Sequence, residues 1–396
     1  MDIPRSLFRR LEKEIDRPFI SVLMGTRQVG KSWLMKKLYH TCVERGLKAS
    51  YFDLEDPHTL RSFNADDGAI VEFLYKAGDV VFIDEFQYTK NATHIFKAIH
   101  DKGTGPKIFV SGSSSIEMHR HLKESLAGRY RLSMVTPLQY GEEYSTIPGS
   151  TFEEYFQYGG LPGVATLEDK NEKMQALSDI LQAYIIKDVR GLIREENTRA
   201  FNALVYLLAE NQGSVMTIAS LAREVRLSEP TVRAHLDILD QTYVAFSLDS
   251  YSTSLSNELK KSKKYYLYDV GIRNAVLKDF SALDHRPDRG AMAESFVFLA
   301  LRRNLAPNME IRFWRNKQGE EVDFILVKDR IPIPIEVKYK VDTPEIPSGL
   351  RSFLLAYPDV VEAWVYSLDF HDKIEWKGRR ILFKTLLDAE NSTFNS

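Results

Sequence analysis

Several residues in this chain have types and spacing suited to phosphate chemistry. "GTRQVGKS", Gly25 to Ser32, satisfies G-x-x-x-x-G-K-[ST] in full. Its glycines let the backbone curl until successive N–H groups point inward, and a helix N-terminus adds positive potential for an anion. Gly25, Thr26, Arg27, Gln28, Val29, Gly30, Lys31 and Ser32 are therefore expected to cradle ATP. Lys31 would reach the β- and γ-phosphates, and the Ser32 hydroxyl would hold Mg²⁺. Downstream, "VVFIDEF" ends an apolar run on Asp84, suited to Mg²⁺ through water, with Glu85 beside it to polarise the attacking water. An Asp-Glu pair alone is weak, but after a phosphate loop it points to hydrolysis rather than binding alone. Ser111 and Ser113 end the next strand, "KIFVSGSSS", at the sheet edge where open α/β sheets bind ligands. They either sense the γ-phosphate or cap the following helix. Arg129 in "LAGRYR" either stabilises phosphate charge, in cis or from a neighbouring subunit, or is a structural ion-pair residue.

A second constellation lies near the other end, in "EEVDFILVKDRIPIPIEVKYK". Strand alternation sets Asp323 apart from its apolar neighbours and puts Glu336 and Lys338 on one face. The short "KDR" linker makes the two strands neighbours, which brings Asp323 towards Glu336. Glu294, in the helix "AMAESFVFLALRR", is a candidate third carboxylate. Hard oxygen ligands hold Mg²⁺ or Mn²⁺, which activates water on a phosphodiester, and a lysine beside the metal orients that water or offsets charge. Acid on a helix, then Asp, then Glu-x-Lys resembles the PD-(D/E)xK motif of restriction-endonuclease-like nucleases. That resemblance implies Glu294, Asp323 and Glu336 as metal ligands and Lys338 as catalytic. The plain alternative is an exposed hairpin carrying a Glu–Lys pair, and such a domain can also serve only for binding.

Between these ends, "TIASLAREVRLSEPTVRAHLDILD" has helix-turn-helix spacing. Ile218, Leu221, Ala222 and Val225 face inward, Leu227 plugs the turn and Ser228 caps the second helix, with Val232, Leu236 and Leu239 continuing the core. Thr231, Arg233 and His235 remain for a major groove. Residues 243 to 268 form a wing, with Lys260, Lys261, Lys263 and Lys264 at its tip to contact phosphates. The competing reading is a packing module with a solvated tip.

These groups need elements to position them. Apolar runs at Phe19 to Met24, Lys48 to Leu54, Val80 to Asp84 and Ile108 to Ser111 alternate with helical patterns, which predicts a parallel sheet covered by helices. Residues 1–145 then form an α/β P-loop core, 146–209 a helical connector, 210–284 the winged helix-turn-helix and 285–396 an α/β domain. A 44% hydrophobic content with 27% charge suits a soluble globular protein. The net charge of −2 excludes a polycation, so nucleic-acid contact needs local basic patches. One cysteine, Cys42, excludes an internal disulfide framework and fits a reducing cytoplasm. The charged N-terminus lacks a signal-peptide core, and no run approaches the roughly 20 apolar residues of a membrane span.

"GTRQVGKS", "FIDEFQ", "VSGSSS", "LAGRYRLSMVTPLQYGE", "YGGLPGV" and "YLYDVGIRNAV" together resemble a group of prokaryotic AAA-type ATPases. Those proteins fuse a P-loop domain to a winged helix and a C-terminal restriction-endonuclease-like domain. The resemblance implies this fold, and the motifs together are read as a cytoplasmic Mg²⁺-dependent ATPase, with DNA as partner and metal-dependent DNA cleavage as second activity. A nucleotide-dependent switch, or a DNA-binding ATPase without cleavage, is the alternative. Monomers and homo-oligomeric rings are both compatible with the sequence.

Overall fold

The computed structural model describes residues 2–64, 66–89, 92–113, 128–183, 193, 197–252 and 262–391. Two compact units account for them. The first comprises Met1–Leu138 with Leu161–Gly163 and Gln241–Val244; the second comprises the remainder.

In the first unit the strands are β1 (Ile20–Gly25), β2 (Ala49–Asp53), β3 (Val80–Asp84), β4 (Lys107–Ser113) and β5 (Tyr130–Met134). They form one sheet in the order β2-β3-β4-β1-β5, with every pairing parallel. β1 and β3 are buried along their whole length, as their unbroken apolar runs require of strands covered on both faces. Helices Asp67–Ala77 and Ala92–Lys102 close one face over Ile70, Leu74, Ile95, Phe96 and Ile99. β4 lies between the strand that leads into the glycine loop and the strand that ends on Asp84. Both strands therefore deliver their C-terminal ends to the same sheet edge.

The second unit begins with helices, among them Phe152–Tyr158, Lys170–Ile180 and Thr198–Glu210. Buried Asp269 caps the helix Val270–Leu277 by accepting the Ile272 N–H (3.0 Å), and also accepts the Gly160 N–H (2.8 Å). A Cβ on Gly159, whose φ is +74°, would meet that carboxylate at 2.1 Å, so the "YGG" turn requires glycine there.

Helix Ile218–Val225 is capped by Thr217, and Arg226 turns the chain in the left-handed region (φ 56°) into helix Glu229–Gln241. Strands β6 (Met216–Thr217), β7 (Ala245–Asp249) and β8 (Ser262–Leu267) form a small antiparallel sheet ordered β6-β8-β7.

Helix Arg289–Arg303 leads to a mixed sheet of β9 (Met309–Arg315), β10 (Glu321–Lys328), β11 (Ile331–Val337), β12 (Glu362–Ser367), β13 (Asp372–Trp376) and β14 (Arg379–Thr385). Its order is β13-β14-β12-β11-β10-β9. β9, β10 and β11 form an antiparallel meander, whereas β12 runs parallel to both β11 and β14. Helix Ser348–Ala356 packs Leu350, Phe353 and Leu354 on this sheet. Among the described residues no helix is long and apolar enough to cross a membrane.

Candidate functional site

β1 delivers Gly25 to the loop, and helix Lys31–Glu44 starts at its far end. Gly25 is sterically required: a Cβ there would lie 2.2 Å from the Val135 carbonyl oxygen. Gly30 is required conformationally, with φ +94°. Lys31 is buried, and its ammonium donates to the carbonyls of Gly25 (3.1 Å) and Thr26 (2.8 Å), so the loop is closed on its own lysine. Burial lowers the Lys31 pKa, while Glu85 and Asp84 oppose that shift electrostatically. Loop, lysine and both acids thus occupy one neighbourhood.

Asp84 is buried and held from two sides. Tyr51 Oη donates to Oδ2 at 2.6 Å, and Ser111 Oγ donates to Oδ1. The same Ser111 oxygen accepts the Glu85 N–H at 3.4 Å. Glu85 sits in the left-handed region (φ 56°), and Gln87 Nε2 donates to its Oε2. Ser111 therefore touches both acids, through its place on β4 between β1 and β3. The Ser32 hydroxyl and the Asp84 carboxylate are hard oxygen donors of the kind Mg²⁺ takes, so this donor set fits that ion.

Sequence reasoning missed two residues here. Tyr51 lies on β2, where nothing in the local pattern marks it. Arg5 donates to the carbonyls of Val29 (2.8 Å) and Thr136 (2.7 Å), which braces the glycine loop from the N-terminal segment. Two expected residues fare differently. Ser113 ends β4 beside Gly25 in the parallel register, and its side chain lies outside the described residues. Arg129 cannot act on this loop in cis: its carbonyl pairs with Ile20 N at the start of β1, the opposite sheet edge, and its guanidinium holds Asp101 at 2.6 Å. Within its own subunit it is an ion-pair residue.

In the second unit Asp323 and Glu336 face each other across β10 and β11, because Phe324 pairs with Ile335. The hairpin reading of the sequence is correct to this extent. Asp323 Oδ2 accepts the Val337 N–H at 2.8 Å, and Lys338 Nζ donates to Glu336 Oε1 at 2.8 Å. Glu336 is 5% exposed and its Oε2 is buried without a hydrogen-bond partner. Burial, reinforced by Asp323 and opposed by Lys338, pushes its carboxyl up to about 8.

Glu294 does approach Asp323, but a lysine stands between them. Lys264, on β8, is fully buried and lies 3.0 Å from Glu294 Oε1, 2.6 Å from Glu321 Oε1 and 3.6 Å from Asp323 Oδ1. Tyr266, two residues on and so on the same face of β8, donates to Glu294 Oε1 at 2.5 Å. Among the described residues no group of three or more His, Cys, Asp or Glu is disposed to hold a metal ion. Lys264 stands between Glu294 and Asp323, and Glu336 pairs instead with Lys338, so these three acids do not form an open site for the divalent ion expected from the sequence.

Of the expected groove-facing residues, His235 needs correction. His235 is buried, edge-on to Phe201 of helix Thr198–Glu210 at 5.4 Å between centroids. Thr231 sits in the first helical turn against Ser228 Oγ, and Arg233 is exposed between Glu229 and Asp237. Lys264 is no wing-tip residue, as shown above. Lys263 pairs with Asp249 at 3.1 Å across β7 and β8. Lys260 and Lys261 lie outside the described residues.

Comparison with known proteins matches three segments of the chain. Residues 17–144 match the model of the AAA domain, residues 149–284 a domain of unknown function (DUF8612) and residues 289–381 another (DUF4143). An uncharacterized protein of Mycobacterium tuberculosis is 26% identical over 89% of this chain and 77% of its own length. One from Methanocaldococcus jannaschii is 25% identical over 86% of this chain and 79% of its own. Among solved structures, AMPPCP-bound DnaA from Aquifex aeolicus overlays 59% of this chain and 86% of its own at 13% identity, with a TM-score of only 0.31. The AAA match, with the glycine loop and the Asp84 strand at one edge of a parallel sheet, supports an AAA-type P-loop ATPase domain over residues 17–144.

Proposed function

We propose that this chain hydrolyses ATP with Mg²⁺ at the edge formed by Gly25–Ser32, Asp84 and Glu85. The observation that carries the reading is the double clamp on buried Asp84 by Tyr51 and Ser111, one strand away from the glycine loop. A carboxylate buried and oriented this way needs a cationic counterpart, and Ser32 supplies the second oxygen ligand for Mg²⁺. Mg²⁺, when bound, neutralises charge on the phosphate oxygens.

The chain's own residues do the rest. Lys31 leaves the Gly25 and Thr26 carbonyls for the phosphates, and the loop N–H groups donate to the anion. Glu85, held by Gln87, takes a proton from water as its oxygen bonds to the γ-phosphorus. The bond from that phosphorus to the β–γ bridging oxygen breaks, releasing ADP and inorganic phosphate. Steady-state hydrolysis by wild type, Lys31→Ala and Glu85→Gln tests this: equal rates in all three would end the assignment.

We further propose a winged-helix fold for residues 210–284, supported by the order helix, helix, β7, β8 with β6 completing the sheet. Residues 285–396 are proposed to take a restriction-endonuclease-like fold, supported by the order helix, β9-β10-β11, helix, β12. The favoured role for these modules is to respond to nucleotide state by binding. DNA contact has only weak support, since Arg233 is flanked by Glu229 and Asp237, and like charge there repels phosphate. Among the described residues, no open cation site supports metal-dependent DNA cleavage.

A further inference from the structure

The acids that suggest a nuclease metal site already hold a cation of the chain's own. We propose that Lys264 replaces the divalent ion in this cluster, as a protein-borne cation that locks β8 to β10 and to helix Arg289–Arg303 in place of a metal. Three observations converge on this reading.

The first is charge. Glu294, Glu321 and Asp323 all lie within 4 Å of one ammonium, each through a different carboxylate. An ammonium so compensated does not leave without stranding three carboxylates.

The second is the strand that carries it. Lys264 pairs with Leu248 in the β7–β8 ladder, so its backbone is fixed by sheet hydrogen bonds. Tyr266, on the same face of β8, stacks on Phe298 at 4.1 Å between centroids while its hydroxyl holds Glu294. The third is the packing of Glu294 itself: Gly213 comes so close that a Cβ there would lie 2.9 Å from its Oε2.

The lysine also accounts for Lys338 and Glu336. With Lys264 serving Glu294, Glu321 and Asp323, Glu336 is left to Lys338. The Glu-x-Lys pair becomes one half of a two-lysine, four-acid network rather than a catalytic pair.

Mn²⁺ binding by the nucleotide-free full chain, followed by loss of the free-ion EPR signal, tests the proposal with wild type and Asp323→Asn. Melting temperatures of Lys264→Met and of Lys264→Met combined with Glu294→Gln supply a second readout. The expected results are identical Mn²⁺ uptake by wild type and Asp323→Asn, a lower melting temperature for Lys264→Met, and partial recovery when Glu294 is neutralised. One extra Mn²⁺ taken up by wild type but not by Asp323→Asn overturns the proposal, as does a Lys264→Met protein that melts like wild type. If Lys264→Met does not fold, the wild-type and Asp323→Asn comparison decides alone. Neither readout depends on ATP hydrolysis, so failure here and failure of the ATPase reading are distinguishable.

Discussion

Ser111 is the most informative residue to change at the nucleotide site, because its one oxygen serves both acids. Ser111→Ala removes the hydroxyl that donates to Asp84 Oδ1 and accepts the Glu85 N–H at 3.4 Å. The Glu85 contact is long and contributes little, so the Asp84 bond dominates. A hydrogen bond to a charged group is worth about 1.5–3 kcal/mol. At about 1.4 kcal/mol per tenfold in rate, full expression of that bond in the transition state lowers kcat about 10- to 150-fold. Tyr51→Phe removes only the 2.6 Å bond to Oδ2 and leaves Glu85 untouched. Its loss falls at the lower end of the range, because Tyr51 is only half-buried and water can replace it. Both variants also need more Mg²⁺ for half-maximal rate, since a loosened carboxylate binds the ion less well. ATP hydrolysis measured across a Mg²⁺ titration gives both quantities. Wild-type kcat with an unchanged Mg²⁺ curve in both variants would refute the reasoning, because the clamp on Asp84 would then have no part in the reaction.

Other expectations follow from the same structure. Arg5→Met removes the brace on the Val29 carbonyl, so the KM for ATP rises several-fold while kcat changes less; equal KM values would show that the loop needs no brace. Gly349→Ala drives a Cβ to 1.8 Å from the Glu321 carbonyl oxygen, and overpacking of this kind costs about 1–3 kcal/mol, read as a lower melting temperature. Lys107 is pushed down to about 7 from 10.5 mainly by burial. The unfolded chain therefore binds more protons between those values, and stability rises as pH rises from about 7 towards 10.5. Melting curves across that window should show the rise in wild type and lose part of it in Lys107→Met.

Much of the fold was legible because its signals are local. Val80–Asp84 reads as a strand buried on both faces, and it is one. The glycine loop carries its own geometry in its residue types. The hairpin pairing of Asp323 with Glu336 followed from alternation and a short turn. His235 was also within reach: it stands at i+3 from Val232 and one position before Leu236, on the helix face the core requires, but its polarity drew it towards a groove.

What was not legible is long-range. Whether Arg129 stands at the phosphate edge or the opposite one depends on which end of β5 meets β1, and no local pattern encodes that. Lys264 looked like one of four tip lysines because "KSKKYYLY" offers no clean apolar face. Only the pairing with Leu248 and the approach of helix Arg289–Arg303 show that its side chain turns inward.

The central claim is that the Gly25–Ser32 loop and Glu85 perform ATP hydrolysis, and a single-turnover experiment tests it most directly. Wild type and Glu85→Gln are each mixed with limiting γ-labelled ATP and Mg²⁺, and bound nucleotide and released phosphate are followed together. The account predicts that wild type releases phosphate, whereas Glu85→Gln retains unhydrolysed ATP that Lys31→Ala fails to bind. Equal phosphate release by Glu85→Gln and wild type, or unaltered ATP binding by Lys31→Ala, would contradict it.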